Sequence, residues 1–272
     1  MEANILIAQS LFKQSNYEET IATCNLILNT DNNSIEAIKL IAKSFLATSR
    51  IDEARLYLNK LLILKPDDFE VIKDLGNSYQ AVGDITNAKK YYKKALNINN
   101  NYSLALTNLG SIELNSGNQQ KALFLLTKAT KSDPQSAPAW CNLGNGYYQL
   151  GNTKEAQVCC QKAIDLDPHL FNSHFLLGRI LIGEKKLIEA EQTLRRTIEL
   201  KPDFYQAHLN LGVILKDLGR AKEAEISTRK AIEINPKLFN SHFLLGAILI
   251  GQKKLKDAEK SLKKSIELKP DF

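Results

Sequence analysis

The chain has 272 residues, is 44% hydrophobic and 24% charged, and contains 13 Gly, 7 Pro and four cysteines. Those fractions exclude collagen-like, disordered and disulfide-scaffold classes. The net charge of +6 lies mostly in the second half, with 15 basic and 14 acidic side chains over residues 1–136 against 21 and 16 over 137–272.

The basic residues are interleaved with acids, as in Lys253, Lys254, Lys256, Asp257, Glu259, Lys260, Lys263 and Lys264. This reads as a solvated helix face, not as the cationic stripe of a nucleic-acid binder. No run of 18 apolar residues is present, so no membrane span is expected. The start, Met-Glu-Ala-Asn-Ile-Leu, lacks the basic residues and cleavage site of a secretory signal. Cys24, Cys141, Cys159 and Cys160 have no zinc-ligand spacing. They read as reduced thiols of a cytoplasmic protein, with Cys159–Cys160 as two small side chains on a half-buried helix face.

The length is a multiple of 34, and the chain aligns with itself at that period. The blocks are 1–34, 35–68, 69–102, 103–136, 137–170, 171–204, 205–238 and 239–272. Block one is the most degenerate, with Ile7-Ala8 at columns seven and eight and Thr20 at column twenty. Block two has Ile41-Ala42, Ala54 and Pro66. From block three onward columns seven and eight read Leu-Gly, from Leu75-Gly76 to Leu245-Gly246. Column twenty is alanine from Ala54 to Ala258, and column thirty-two is proline except at Asn32 and Asn100.

Large residues at columns four, seven and eleven (Trp140, Leu143, Tyr147 in block five) follow helical spacing. A second stripe runs through columns twenty, twenty-four and twenty-seven (Ala156, Cys160, Ala163). The small residues at columns eight and twenty allow two helices to approach closely. Gly83, Gly117, Gly151 and Gly219 at column fifteen end the first helix, and the proline ends the second. Each block is therefore expected to be a helix–turn–helix of two amphipathic helices. Blocks six and eight share 25 of 34 residues. Both carry glycine at column thirteen (Gly183, Gly251) and lysine at column fifteen (Lys185, Lys253), which predicts an earlier end to their first helices.

These columns resemble the tetratricopeptide-repeat family over the whole chain, most closely in the style of bacterial and cyanobacterial arrays. The resemblance implies an all-α, right-handed α-solenoid superhelix of stacked helix–turn–helix repeats. First helices would line the concave surface and second helices the outside. Such a solenoid has no single core, and residues 1–272 are treated as one domain of eight repeats. Solenoid ends need polar caps. Block eight closes on Lys-Pro-Asp-Phe with its apolar face uncovered, so the expectation is either a longer polypeptide or a homo-oligomer formed through that repeat.

Catalytic motifs are absent. Gly144-Asn145-Gly146 lies inside a helix and is no dinucleotide loop, and neither a P-loop nor a Gly-x-Ser-x-Gly is found. His174, His208 and His242 recur at column four, the column of Trp140, and read as packing residues, not metal ligands. No cofactor, metal or enzymatic activity is expected.

In the family the inner surface is formed by columns two, five, six, nine, twelve and thirteen. Blocks two and three place Lys39, Lys43, Lys73 and Asn77 there, among Glu36, Glu70 and Asp74. Blocks four and five place Asn108, Asn142, Asn145 and Tyr148, and blocks six to eight place Phe175, Arg179, Asn210, Val213 and Phe243. Chaperone-binding members hold a C-terminal carboxylate with a five-residue clamp. Lys73, Asn77 and Asn108 match its first three positions, whereas Pro138 and Asn142 replace its last two cations. The superhelix of protein O-linked N-acetylglucosamine transferase has an asparagine ladder at column six, which Asn108, Asn142 and Asn210 match. A side-chain amide both donates and accepts, which suits an extended peptide backbone. The expected function is a non-catalytic scaffold for a protein or peptide in the concave groove. The alternative is the recognition arm of a larger enzyme, such as a transferase, whose catalytic domain lies beyond residue 272.

Overall fold

The computed structural model describes residues 2–271, and within them the regular structure is entirely α-helical. The helices in order are α1 Glu2–Lys13, α2 Tyr17–Thr30, α3 Ile35–Ala47, α4 Ile51–Leu64, α5 Phe69–Ala81, α6 Ile85–Ile98, α7 Ser103–Asn115 and α8 Gln119–Ser132. They continue as α9 Ala137–Gln149, α10 Thr153–Leu166, α11 Phe171–Gly183, α12 Leu187–Leu200, α13 Tyr205–Asp217, α14 Ala221–Ile234, α15 Phe239–Gly251 and α16 Leu255–Leu268. Each 34-residue block is thus one helical hairpin. The chain forms two compact units, Met1–Pro134 and Gln135–Phe272. In both, successive hairpins pack second helix to next first helix, as in α2 on α3 and α12 on α13. This is an all-α solenoid.

Local chemistry sets the hairpin ends. At the close of α5, Gly83 N–H donates to Gln80 C=O and Asp84 N–H to Tyr79 C=O, with Gly83 at φ +79°. That six-to-one and five-to-two pairing is a Schellman cap. The earlier end expected for the first helices of blocks six and eight does not occur: α11 and α15 are 13 residues long, like α9 and α13. Lys185 and Lys253 adopt φ +60° and make the same cap, with Lys185 N–H on Ile182 C=O and Lys186 N–H on Leu181 C=O. The packing of the hairpin imposes the left-handed residue even where the side chain disfavours it. Second helices end as anticipated. Lys65 before Pro66 leaves the helical region at φ −139°, ψ 84°, and Asp31 and Asn99, which precede asparagines, do the same at φ −136°, ψ 93° and φ −126°, ψ 95°.

The small columns do bring the helices together. A Cβ on Gly76 would stand 2.6 Å from Tyr92 Cε1, and one on Gly110 2.7 Å from Leu126 Cγ. The core is a chain of clusters. One joins Ala8, Cys24 and Ile27 to Ala37, Ile41 and Phe45. Another joins Leu181 and Leu194 to Ala207, Leu211 and Ile214, and these to Leu244 and Ile248, across three hairpins.

Candidate peptide-binding face

In the first unit the candidate site residues stand on α3, α5 and α7. Lys39 Nζ lies 2.8 Å from Asp68 Oδ2 and 4.0 Å from Glu70 Oε2. Burial works against the Lys39 charge, but Asp68, Glu70 and Glu36 overcome it and raise its pKa. Asp68 also caps α5, accepting from the backbone N–H of Glu70 and Val71. Lys73 Nζ donates to Asp74 Oδ1, and both side chains are nearly buried. Lys43 is exposed and has no ion-pair partner among the described residues. Two of the three cations anticipated on this face are therefore neutralised from within.

Asn77 and Asn108 are joined. Asn108 Nδ2 donates to Asn77 Oδ1 at 2.8 Å, and the Tyr92 hydroxyl lies 2.8 Å from the same oxygen and 2.7 Å from Gln80 Oε1. Tyr92 is fully buried, and burial raises its pKa. Asn77 thus serves the hairpin interior as well as the surface. Sequence reasoning missed Tyr92. Its signal was a large polar residue at column twenty-four, opposite the Gly76 column.

In the second unit the candidate site residues lie on α9, α11, α13 and α15. Asn142, Asn145 and Asn210 are half-buried, and their amides have no hydrogen-bond partner among the described residues. The Arg179 guanidinium sits 4.6 Å from the Tyr148 ring centroid and 5.9 Å from that of Phe175. Arg179 is the one arginine with no carboxylate within 4.0 Å among the described residues; Arg50, Arg55, Arg195, Arg196, Arg220 and Arg229 all have one. Phe175 is half-buried, edge-on to Phe204 at 4.8 Å, so part of its ring belongs to the core. Val213 is half-buried in the same cluster, and Phe243 is 46% exposed.

The column-four histidines have structural partners. The Nε2 atoms of His174, His208 and His242 lie 3.0, 2.9 and 3.0 Å from the carbonyl oxygens of Pro168, Pro202 and Pro236. Each ties a first helix to the turn before it. Among the described residues no group of three or more His, Cys, Asp or Glu could hold a metal. All four cysteines are free and buried, and burial pushes the Cys24 and Cys159 thiols up to about 11. Thiols at that pKa are poor nucleophiles at neutral pH. Among the described residues no helix is long and apolar enough to cross a membrane.

Carboxylates of one hairpin also hold cations of the next. Glu191 accepts from Arg220 at 2.7 Å, and Glu225 from Lys254 at 2.8 Å. Second helices of successive hairpins are separated by grooves. One, of about 690 Å³, lies between α12 and α14 over His208, Leu211 and Leu215. The next, of about 890 Å³, lies between α14 and α16.

The family profile described as "Cilia and flagella-associated protein 70 C-terminal domain", a tetratricopeptide-repeat domain, matches residues 22–271. The chain belongs to this family. No curated protein matches it. Among solved structures it is similar to a chain of the APC/C hetero-tetramer Cut9–Hcn1, with TM-score 0.79 and 19% identity over 99% of this chain. It spans about half of that chain, 53%. It is also similar to YrrB, described as a TPR protein with an unusual peptide-binding site, with TM-score 0.55 and 23% identity over 68% of this chain and 95% of that one. A third is a monomeric mutant of IFIT1 solved with m7Gppp-AAAA, with TM-score 0.70 and 18% identity over 98% of this chain and 71% of that one. At these identities the likeness is one of fold.

Proposed function

We propose that the chain is a non-catalytic interaction scaffold that takes up a peptide or extended protein segment on the first-helix face of its second unit. The observation that carries this reading is Arg179. Its guanidinium is held in place by Tyr148 and is not spent on an internal carboxylate. An arginine orders less on binding when it is already stacked, and a charge-assisted hydrogen bond to a ligand carboxylate is strong. Asn142, Asn145 and Asn210 supply free amides for a peptide backbone around it. Of the three candidate cations in the first unit, Lys43 is exposed and Lys39 and Lys73 are internally paired. This unit contributes amide and apolar contacts more than charge.

A polypeptide ligand is favoured over a nucleic acid because, among the described residues, every arginine but Arg179 is engaged by a carboxylate, which leaves fewer free guanidiniums to displace counterions from a phosphate backbone. Four free, buried cysteines support a reducing compartment such as the cytoplasm.

The test is selection of peptides from a displayed random library on the purified chain, with a capped oligoadenylate as a parallel probe. Enrichment of peptides with an acidic residue is expected, with affinity falling roughly 10-fold in Arg179→Ala. Tight, salt-sensitive RNA binding with no peptide enriched would overturn the reading.

A further inference from the structure

Ser227 lines the groove between α12 and α14. It stands at column twenty-three, which holds Tyr57 in block two, Tyr91 in block three and Leu125 in block four. Block three shows what an aromatic ring does at that column. Tyr91 stacks on Tyr79, with ring centroids 5.2 Å apart and planes 11° from parallel. Tyr91 and Leu62 also pack against the clusters that hold Ile72 and Leu75. In block two the same columns bring Tyr57 within 5.7 Å of Phe45.

The α12–α14 groove repeats that bed without its ring. Ile198, His208, Leu211 and Leu215 line it, and they stand at the columns of Leu62, Ile72, Leu75 and Tyr79. The Ser227 hydroxyl is turned onto the His208 carbonyl oxygen at 2.9 Å, so a hydroxymethyl group takes the place of an aromatic side chain. The space over it is about 690 Å³. One wall carries Ile226, which is 69% exposed.

The charges on the rim are satisfied from within. Arg195 pairs with Glu223 at 3.2 Å and Lys230 with Glu233 at 2.6 Å. Arg229 and Glu199 are held by Glu225 and Arg196, each at 2.9 Å. Recognition here therefore rests on shape and apolar contact, unlike recognition at Arg179. On α14 the lining runs over residues 223–233. At a rise of 1.5 Å per residue that is about 15 Å, the length of a short peptide segment and longer than a single ring.

We propose that this groove binds a partner polypeptide through one aromatic side chain, which takes the place that Tyr91 fills in block three. The segment lies between α12 and α14, with its ring over Leu211 and Leu215 and against Ile226. A buried aromatic anchor in a preformed pocket is the kind of contact that dominates binding energy. The site lies on the second-helix side of the hairpins and is independent of any ligand on the first-helix face.

The experiment selects peptides from a displayed random library on the 272-residue chain carrying Arg179→Ala, which removes the free guanidinium of the first-helix face. The enriched peptides are expected to share an aromatic residue and to bind wild type and Arg179→Ala alike, with little dependence on salt. Ser227→Tyr supplies the ring from within, and Ile226→Lys puts a charge on the wall. Each should weaken binding about 10-fold or more, with helicity by circular dichroism retained. Should Ser227→Tyr fail to fold, Ile226→Lys decides alone, because it changes an exposed position. Peptides without a shared aromatic residue, or peptides that bind both variants as tightly as wild type, would overturn the proposal. So would a selection that enriches nothing; in that case, shifts of the Leu211 and Leu215 methyl resonances on adding p-cresol would reassign the groove to small aromatic molecules.

Discussion

Gly76 and Tyr92 share one space: a Cβ on the glycine would stand 2.6 Å from Cε1 of a ring that is fully buried. The ring cannot swing aside, because its hydroxyl is tied to Asn77 and Gln80. Gly76→Ala is expected to lower stability by about 1–3 kcal/mol, although alanine is the better helix former. Gly183→Ala is the control. Nothing lies within 4 Å of its Cβ position, so it should gain roughly 0.5–1 kcal/mol. Urea midpoints of the two variants should move in opposite directions.

Lys185 and Lys253 hold φ +60° at the place where four other hairpins use glycine. A non-glycine residue there carries a cost of about 1 kcal/mol. Lys185→Gly and Lys253→Gly are each expected to raise the thermal midpoint. An unchanged or lowered midpoint in both would remove the strain argument.

Glu113 is buried, at 2% exposure. Burial alone would raise its pKa, but hydrogen bonds from Asn118, Lys121 and Lys89 bring it down to about 2. A depressed carboxylate stabilises the fold above its unfolded pKa, and that contribution is lost as pH falls through the folded value. The wild-type chain should therefore lose on the order of 1–2 kcal/mol between roughly pH 4.5 and 2 through this group. Glu113→Gln should be less stable at pH 7 and show a shallower fall across that window. Parallel stability–pH curves for the two proteins would contradict this.

Asn77 and Asn142 should separate stability from binding. Asn77→Ala removes the acceptor shared by Tyr92 and Asn108 and should cost about 1 kcal/mol of stability. Asn142→Ala touches no internal hydrogen bond and should leave the unfolding midpoint within about 0.5 kcal/mol of wild type. A peptide selected on the chain should bind Asn142→Ala more weakly at full stability.

Hairpin positions were legible because they depend on neighbours in sequence. The 34-residue period, the Leu-Gly columns and the turn residues place all sixteen helices from local pattern. The same pattern failed at Lys185 and Lys253, where it pointed to an earlier helix end. The turn there is dictated by the hairpin around it, and the lysine accepts the strain.

The candidate face was only half legible. Column spacing named Lys39, Lys73 and Arg179 as cations of the inner surface, and of these only Lys73 has its partner, Asp74, beside it in the sequence. Lys39 is consumed by Asp68, 29 residues on, which the next hairpin brings to 2.8 Å. Arg179 is left unpaired because Tyr148, 31 residues before it, presents a ring. By itself the sequence determined the repeat and the helices, since these follow from short-range periodicity. Only the tertiary structure decided that Lys39 is paired and Arg179 is not, since those outcomes depend on distances of a few ångströms between residues of neighbouring hairpins.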